Sequence, residues 1–280
     1  MLVVLSICQK DVKQALKLSQ WIKELGGVLH HSIVLAASKA CIESKTHEPI
    51  VAELKQAFRQ VDVYPCSDIP DPAWPRGANH AFIRVCKDVI QNDPGKPFFW
   101  LEPDAIPLKS TWMNDIEAEY LRAGKPFMGS FVRYENTKDH MSGVGIYRQI
   151  DSHAPSYVLS HEYAFDIVIS DSVLPKAHFT ELIQHEWKTD PSKILEQIKP
   201  EAVIYHQDKT GVIIDHLRGR GCAVSKSTEG VIVSPLHAIP APPVKLNERE
   251  LIEMLVDISK RSPLDRGRII KQLRKHKLST

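Results

Sequence analysis

Residues 96–108 read KPFFWLEPDAIPL. Four consecutive apolar residues, Phe98 to Leu101, form the short unbroken run of a strand buried on both faces. The run ends in two acids, Glu102 and Asp104, separated by Pro103. Proline cannot donate to a ladder and helps to end the strand, while residues two apart in an extended chain point the same way. Both carboxylates therefore face one place, and ligands of open α/β sheets sit beyond the carboxyl ends of the strands. Two hard oxygen ligands there suit Mg or Mn, which keep positions for water and phosphate oxygens. An isolated Glu-x-Asp serves equally well to cap the turn that follows.

Working outward, apolar runs alternate with amphipathic stretches. The pattern predicts strands over Leu2–Ile7, Ser32–Ala37 and Val61–Tyr64, and helices from Asp11 to Leu25, Glu48 to Arg59 and Asn79 to Ile90. The turn Asn92-Asp-Pro-Gly95 leads into the quoted strand. Further strands are expected over Phe127–Phe131, His140–Tyr147, Leu182–Glu186, Val203–Tyr205 and Val231–Ser234. This alternation is the signature of an α/β sheet with helices on its faces.

With 43% hydrophobic and 25% charged residues, the 280-residue chain has the composition of an ordinary soluble protein. The apolar opening has no basic residues before it and meets Lys10 and Asp11 too soon for a signal peptide or a membrane span. The five cysteines, Cys8, Cys41, Cys66, Cys86 and Cys222, include no CxxC pair, which argues against a disulfide framework or a thiolate zinc site. A reducing cytoplasm is the expected compartment.

Near the C-terminus the composition changes. Pro235, Pro240, Pro242 and Pro243 mark a linker over residues 235–246. Residues 247–280 are helical in pattern, with Leu251, Ile252, Leu255 and Ile258 on one face. From Lys260 onward eight Lys or Arg stand against the single acid Asp265, although the whole chain carries only +2. The expected organisation is a domain over 1–234, the linker, and a small basic helical appendage over 247–280.

Several stretches together resemble a known family. FFWLEPDAIPL is similar to the DxD-type motif of nucleotide-sugar glycosyltransferases with the A-type fold, in the variant whose first acid is Glu. WPRGANHAF (Trp74 to Phe82), HMSGVGIY (His140 to Tyr147), AFDIVIS (Ala164 to Ser170) and VIYHQDKTG (Val203 to Gly211) extend the resemblance over roughly residues 1–235. It implies a Rossmann-like mixed sheet flanked by helices and a nucleotide-diphosphate sugar donor, UDP-sugar by expectation. A divalent cation, Mn or Mg, would bridge the donor's diphosphate to the protein.

The resemblance also implies roles. Asp104, Glu102 and His206 become the metal ligands, though a lone His at a strand end is often structural. Lys209 becomes a diphosphate contact, or else a solvated turn lysine. Ser6, Cys8 and Gln9 lie where the nucleoside base is placed, and Arg76, Gly77 and Asn79 at a helix start suited to phosphate or sugar hydroxyls; Asn79 would serve equally as an N-cap. Gly143 and Gly145 fall in the loop that closes over the donor sugar, or mark a bulge. Asp166, with Glu162 as alternative, occupies the place of a general base, which an inverting enzyme needs and a retaining one does not; an N-cap is the other reading of Asp166. Gln184 and His185 are candidate sugar or acceptor contacts.

For the acceptor, the short form and motif set resemble phage-type DNA-base transferases and the base J glucosyltransferase group. Hydroxymethylated pyrimidines of DNA, held through the basic helices, are then the leading expectation. A surface polysaccharide or lipid-linked glycan is the alternative acceptor, and a non-catalytic nucleotide- or DNA-binding module the alternative class. The oligomeric state has no signature in the sequence.

Overall fold

The computed structural model describes residues 1–66, 74–92, 95–135, 137–148, 158–159, 161–187, 190 and 192–219. The strand expected at Val231–Ser234, the linker at 235–246, the helical segment 247–280 and Cys222 lie outside the described residues.

The chain opens with β1 (Leu2–Ile7), α1 (Val12–Glu24), β2 (Val28–Ala37), α2 (Lys39–Glu43), α3 (Glu48–Ala57) and β3 (Phe58–Pro65). There follow α4 (Arg76–Asn92), β4 (Phe98–Leu101), β5 (Ala105–Pro107), α5 (Trp112–Ala123), β6 (Phe127–Val132) and β7 (His140–Tyr147). After the short helices Phe165–Val168 and Ser170–Val173 come β8 (Ala177–Phe179), β9 (Ile183–His185) and β10 (Ile204–His206), then a helix over Val212–Gly219.

Seven strands form one sheet in the order β3-β2-β1-β4-β7-β6-β8. The first four are parallel, and β7 runs antiparallel between β4 and β6. Successive residues of β1 and β4 point to opposite faces. Val3, Leu5, Phe99 and Leu101 join a core with Leu18, Trp21 and Ile22 of α1. Val4, Phe98 and Trp100 join another core, with Phe82 and Val85 of α4. This two-sided burial explains why these strands read as continuous apolar runs, each buried large side chain contributing about 1.5–3 kcal/mol.

Several elements depart from the sequence expectation. β2 begins at Val28 rather than Ser32, its polar start His30-His31 masking the strand, with a register shift between Val28 and Ser32 against β3. α5 was not expected, although Trp112, Met113, Ile116 and Tyr120 recur at helical spacing and Gly124 ends the helix at φ 61°. Strands β5 and β8, three residues each, fall below the length at which periodicity is readable. No helix among the described residues is long and apolar enough to cross a membrane.

A three-stranded sheet, β5-β10-β9, lies beyond the carboxyl end of β4. β5 begins directly after Asp104, and β10 pairs with it antiparallel, setting His206 opposite Ala105. β9 runs parallel to β10 and sets His185 opposite His206. The end of one strand and the start of another are thereby brought together from residues about a hundred positions apart in the chain.

Candidate active site and metal centre

At the carboxyl end of β4 the small sheet brings Glu102, Asp104 and His206 into one cluster, with a ligand atom of each within 4.8 Å of the others. His206 Nε2 lies 3.2 Å from Glu102 Oε2 and 3.5 Å from Asp104 Oδ1. Lys209 Nζ donates to Asp104 Oδ2 at 3.0 Å, although the lysine side chain is 70% exposed. The cluster is therefore shielded at His206 and Asp104 and open at Lys209.

Burial works against charging His206, but Asp104 and Glu102 outweigh it and push the imidazole up to about 10. Burial likewise works against the Asp104 carboxylate, and His206 with Lys209 overcomes it, holding that group well below the usual carboxylate range. Two carboxylates close together in a shielded site are costly unless cations compensate them. Here an imidazolium and an ammonium do so.

The donor set fits a divalent cation. Two carboxylate oxygens and one imidazole nitrogen suit Mg, Mn or Zn, and the imidazole is held from behind as metal-binding histidines usually are. His206 Nδ1 stands 3.1 Å from Ser142 Oγ and 2.9 Å from His185 Nδ1. Two Nδ1 atoms at that separation share one proton. His206 supplies it, because burial and the neighbouring His206 depress His185 to about 3.

The loop after β10 locks this arrangement. Backbone amides of Gln207 and Asp208 both donate to the Asp104 carbonyl at 3.1 Å. Gln207 adopts φ 92°, a left-handed conformation costly for a residue with a side chain. Asp208 is fully buried and caps the helix Val212–Gly219, Oδ1 accepting from Gly211 N at 2.8 Å and Oδ2 from Ile213 N at 2.9 Å. From α1, Gln14 donates to the Asp208 carbonyl and Lys17 to that of Gly211. Neither Ser142 nor Asp208 is among the residues expected at the site. A serine buried inside an otherwise apolar strand, and an Asp shortly before an apolar helical run, were the available signals.

Asp166 reaches the same place from another direction. Phe165 stacks on Phe82 of α4 at 3.8 Å, which fixes the short helix Phe165–Val168 against the sheet. A Cβ built on Gly143 would lie 2.8 Å from Glu102 Oε1 and 3.4 Å from Asp166 Oδ2. Both acids thus close on the backbone at 143, and any side chain there would displace the Glu102 carboxylate. The Asp166 carboxyl is pushed up to about 6 by burial, against the pull of His140, with Glu102 adding to the rise. Its side chain remains 17% exposed, and His140 Nε2 is 3.9 Å away.

Other expected residues are engaged differently. Gly143 and Gly145 lie in β7, buried throughout, and not in a closing loop; Gly145 pairs with Trp100 and Gly129, and a Cβ there would meet the Met128 carbonyl at 2.7 Å. Gln184 is buried, its amide donating to Gln197 O and Glu186 Oε1 and accepting from Lys199 N, so it braces the chain instead of facing a ligand. Asn79 donates to the carbonyls of Val158 and Tyr163, and Gln9 to Ala40 O and Ser44 Oγ. Ser6 and Cys8 sit at the carboxyl end of β1, next to β4, and Arg76 and Gly77 open α4. Glu162 is exposed on the segment before Asp166.

No family model and no curated protein matches this sequence. Among solved structures, the chain is similar to an active-site variant of LgtC, at 11% identity over 79% of this chain and 96% of that one, with a TM-score of 0.50. It is also similar to the bifunctional glycosyltransferase WbbM, at 9% identity over 74% of this chain, with a TM-score of 0.51. There it spans 45% of the longer protein. Mouse xyloside xylosyltransferase 1 matches at 10% identity over 74% of this chain and 97% of that one, with a TM-score of 0.48. At such identities the likeness is one of architecture. The chain has the A-type glycosyltransferase fold, a mixed sheet flanked by helices.

Proposed function

We propose that this chain is a metal-dependent glycosyltransferase that moves a sugar from a nucleotide-diphosphate sugar to a hydroxyl acceptor. The observation that carries the reading is the convergence of Glu102, Asp104, His206 and Lys209 at the carboxyl end of β4 in a fold of this type.

Glu102, Asp104 and His206 would hold the cation, which when bound stabilises the charge that builds on the leaving diphosphate. Lys209, exposed and paired with Asp104 at its tip, would turn its ammonium to a phosphate oxygen. The nucleoside would lie against the carboxyl end of β1, where Ser6, Cys8 and Gln9 offer backbone groups, and Arg76 and Gly77 at the start of α4 are the proposed contacts for its phosphates or sugar, whereas the buried Asn79 braces the Val158 and Tyr163 carbonyls instead.

Asp166 is the proposed base. A carboxyl poised at about 6 accepts a proton near neutral pH more readily than an ordinary carboxylate. The acceptor oxygen bonds to the anomeric carbon, the bond from that carbon to the diphosphate oxygen breaks, and the hydroxyl proton passes to Asp166. Glu162, exposed and outside the cluster, is the less favoured choice. The DNA contact and hydroxymethylpyrimidine acceptor expected from the basic tail rest on residues 247–280, outside the described residues, and no feature of the described residues favours them.

The test is release of nucleoside diphosphate from a panel of UDP-, GDP- and dTDP-linked sugars by the full chain with Mn or Mg. We expect release from at least one donor, abolished by EDTA. No release from any donor, or release indifferent to EDTA, overturns the proposal.

A further inference from the structure

Beside the cluster, and not used by the mechanism above, lies an aromatic strip. Trp187 follows β9 by two residues and is 50% exposed. Its ring centroid lies 5.6 Å from that of Tyr134, with the planes inclined at 40°. The Tyr134 ring in turn stands 6.2 Å from His185, whose ring is 4.7 Å from that of His206. An unbroken series of rings thus runs from the metal ligands to an exposed indole. Rings at these separations are already in contact, so Tyr134 and Trp187 make one bent surface and not a slot that could sandwich a planar base.

We propose that Tyr134 and Trp187 form the acceptor subsite and that the acceptor presented there is a saccharide. A sugar ring lays its C–H face on an aromatic surface and turns its hydroxyls toward polar neighbours, in keeping with apolar, aromatic-lined ligand sites that carry a few placed polar groups. Glu186, between His185 and Trp187 in the chain, supplies such a neighbour, and the Tyr134 hydroxyl, pushed up to about 12 by burial with Glu186 adding to the rise, is a neutral donor beside it. Two described residues beside the strip favour a neutral saccharide over a polyanion. Glu186 is acidic, and the guanidinium of Arg133 is committed to both oxygens of Asp139, at 3.0 and 2.6 Å. Stacking platforms for nucleic acid pair their aromatics with cations that track the phosphates.

This inference rests on the transferase reading for its meaning, but its test does not depend on turnover. Saturation-transfer NMR of the full chain would be run with a panel of α- and β-linked hexose and pentose disaccharides and with a single-stranded oligothymidylate. Trp187→Ala, at an exposed position, leaves the core intact, and Phe179→Ala removes an exposed aromatic that pairs instead with Phe131. We expect at least one saccharide to bind wild type and the Phe179 variant, and its affinity to fall about tenfold in Trp187→Ala. The proposal is overturned by no saccharide binding to wild type, by binding that Trp187→Ala does not weaken, or by the oligonucleotide taking the strip in place of sugars. Failure of the transferase reading is separate, since it shows as no nucleoside diphosphate release from wild type.

Discussion

In the parallel part of the large sheet, β1, β4 and the second half of β2 are buried on both faces and read as apolar runs, while the edge strand β3 keeps only Phe58 fully buried. In the small sheet, β5-β10-β9, each strand is three residues long and the buried neighbours include His206, Gln184 and Asp208. The first region is held by apolar area and tolerates little loss of volume. The second is held by directed contacts: an antiparallel register, two amides on the Asp104 carbonyl, and the Asp208 cap. The difference separates stability from chemistry, because charge is placed where the apolar core has ended.

That separation is open to direct attack. Asp104→Asn keeps the volume of the side chain and removes its charge, and metal-dependent release of nucleoside diphosphate is expected to fall at least ~100-fold, with an unchanged circular dichroism spectrum. Leu35→Ala, in the fully buried middle of β2, is expected to do the reverse. It should cost about 2–5 kcal/mol in urea unfolding while turnover per folded molecule is retained. Equal loss of activity in the two variants would erase the distinction.

The next largest effect concerns Asp166. Burial pushes its carboxyl up to about 6 from an ordinary value of 3.8, so the folded chain keeps a proton that the unfolded chain gives up between those values. Stability should therefore fall as pH rises from about 4 to 6, and the penalty persists above. In EDTA, Asp166→Asn is expected to gain about 2–3 kcal/mol at pH 8 and nothing near pH 3, and with metal restored the variant is expected to lose transfer. A gain independent of pH would refute the assignment of burial as its cause. Asp208→Ala should show the smallest effect, about 1–2 kcal/mol from the lost helix cap, together with weaker metal binding as the loop carrying His206 and Lys209 loosens.

The same contrast decides how much was legible in the sequence. Phe98–Leu101 announced a buried central strand, and the apolar run Leu2–Ile7 and the stretch His140–Tyr147 were legible to their ends. Glu102 and Asp104 were legible as a pair from strand geometry, and His206 from its place in the VIYHQDKTG stretch. What could not be read were contacts made by folding alone: Ser142 and His185 behind His206, Asp166 against Glu102 across Gly143, and Tyr134 beside Trp187. Gln184 and Gly145 misled for the same reason. Their residue types suit ligands, but tertiary packing consumes the amide of one and demands the small size of the other.

The central claim is that the small sheet assembles a metal site from Glu102, Asp104 and His206. Titration of the metal-free full chain with Mn, followed by electron paramagnetic resonance of the free ion, tests it without reference to any donor or acceptor. One Mn bound per wild-type chain, with affinity reduced at least about tenfold in His206→Gln of unchanged secondary structure, is the predicted result. No stoichiometric binding, or binding that survives the loss of His206 undiminished, would contradict it.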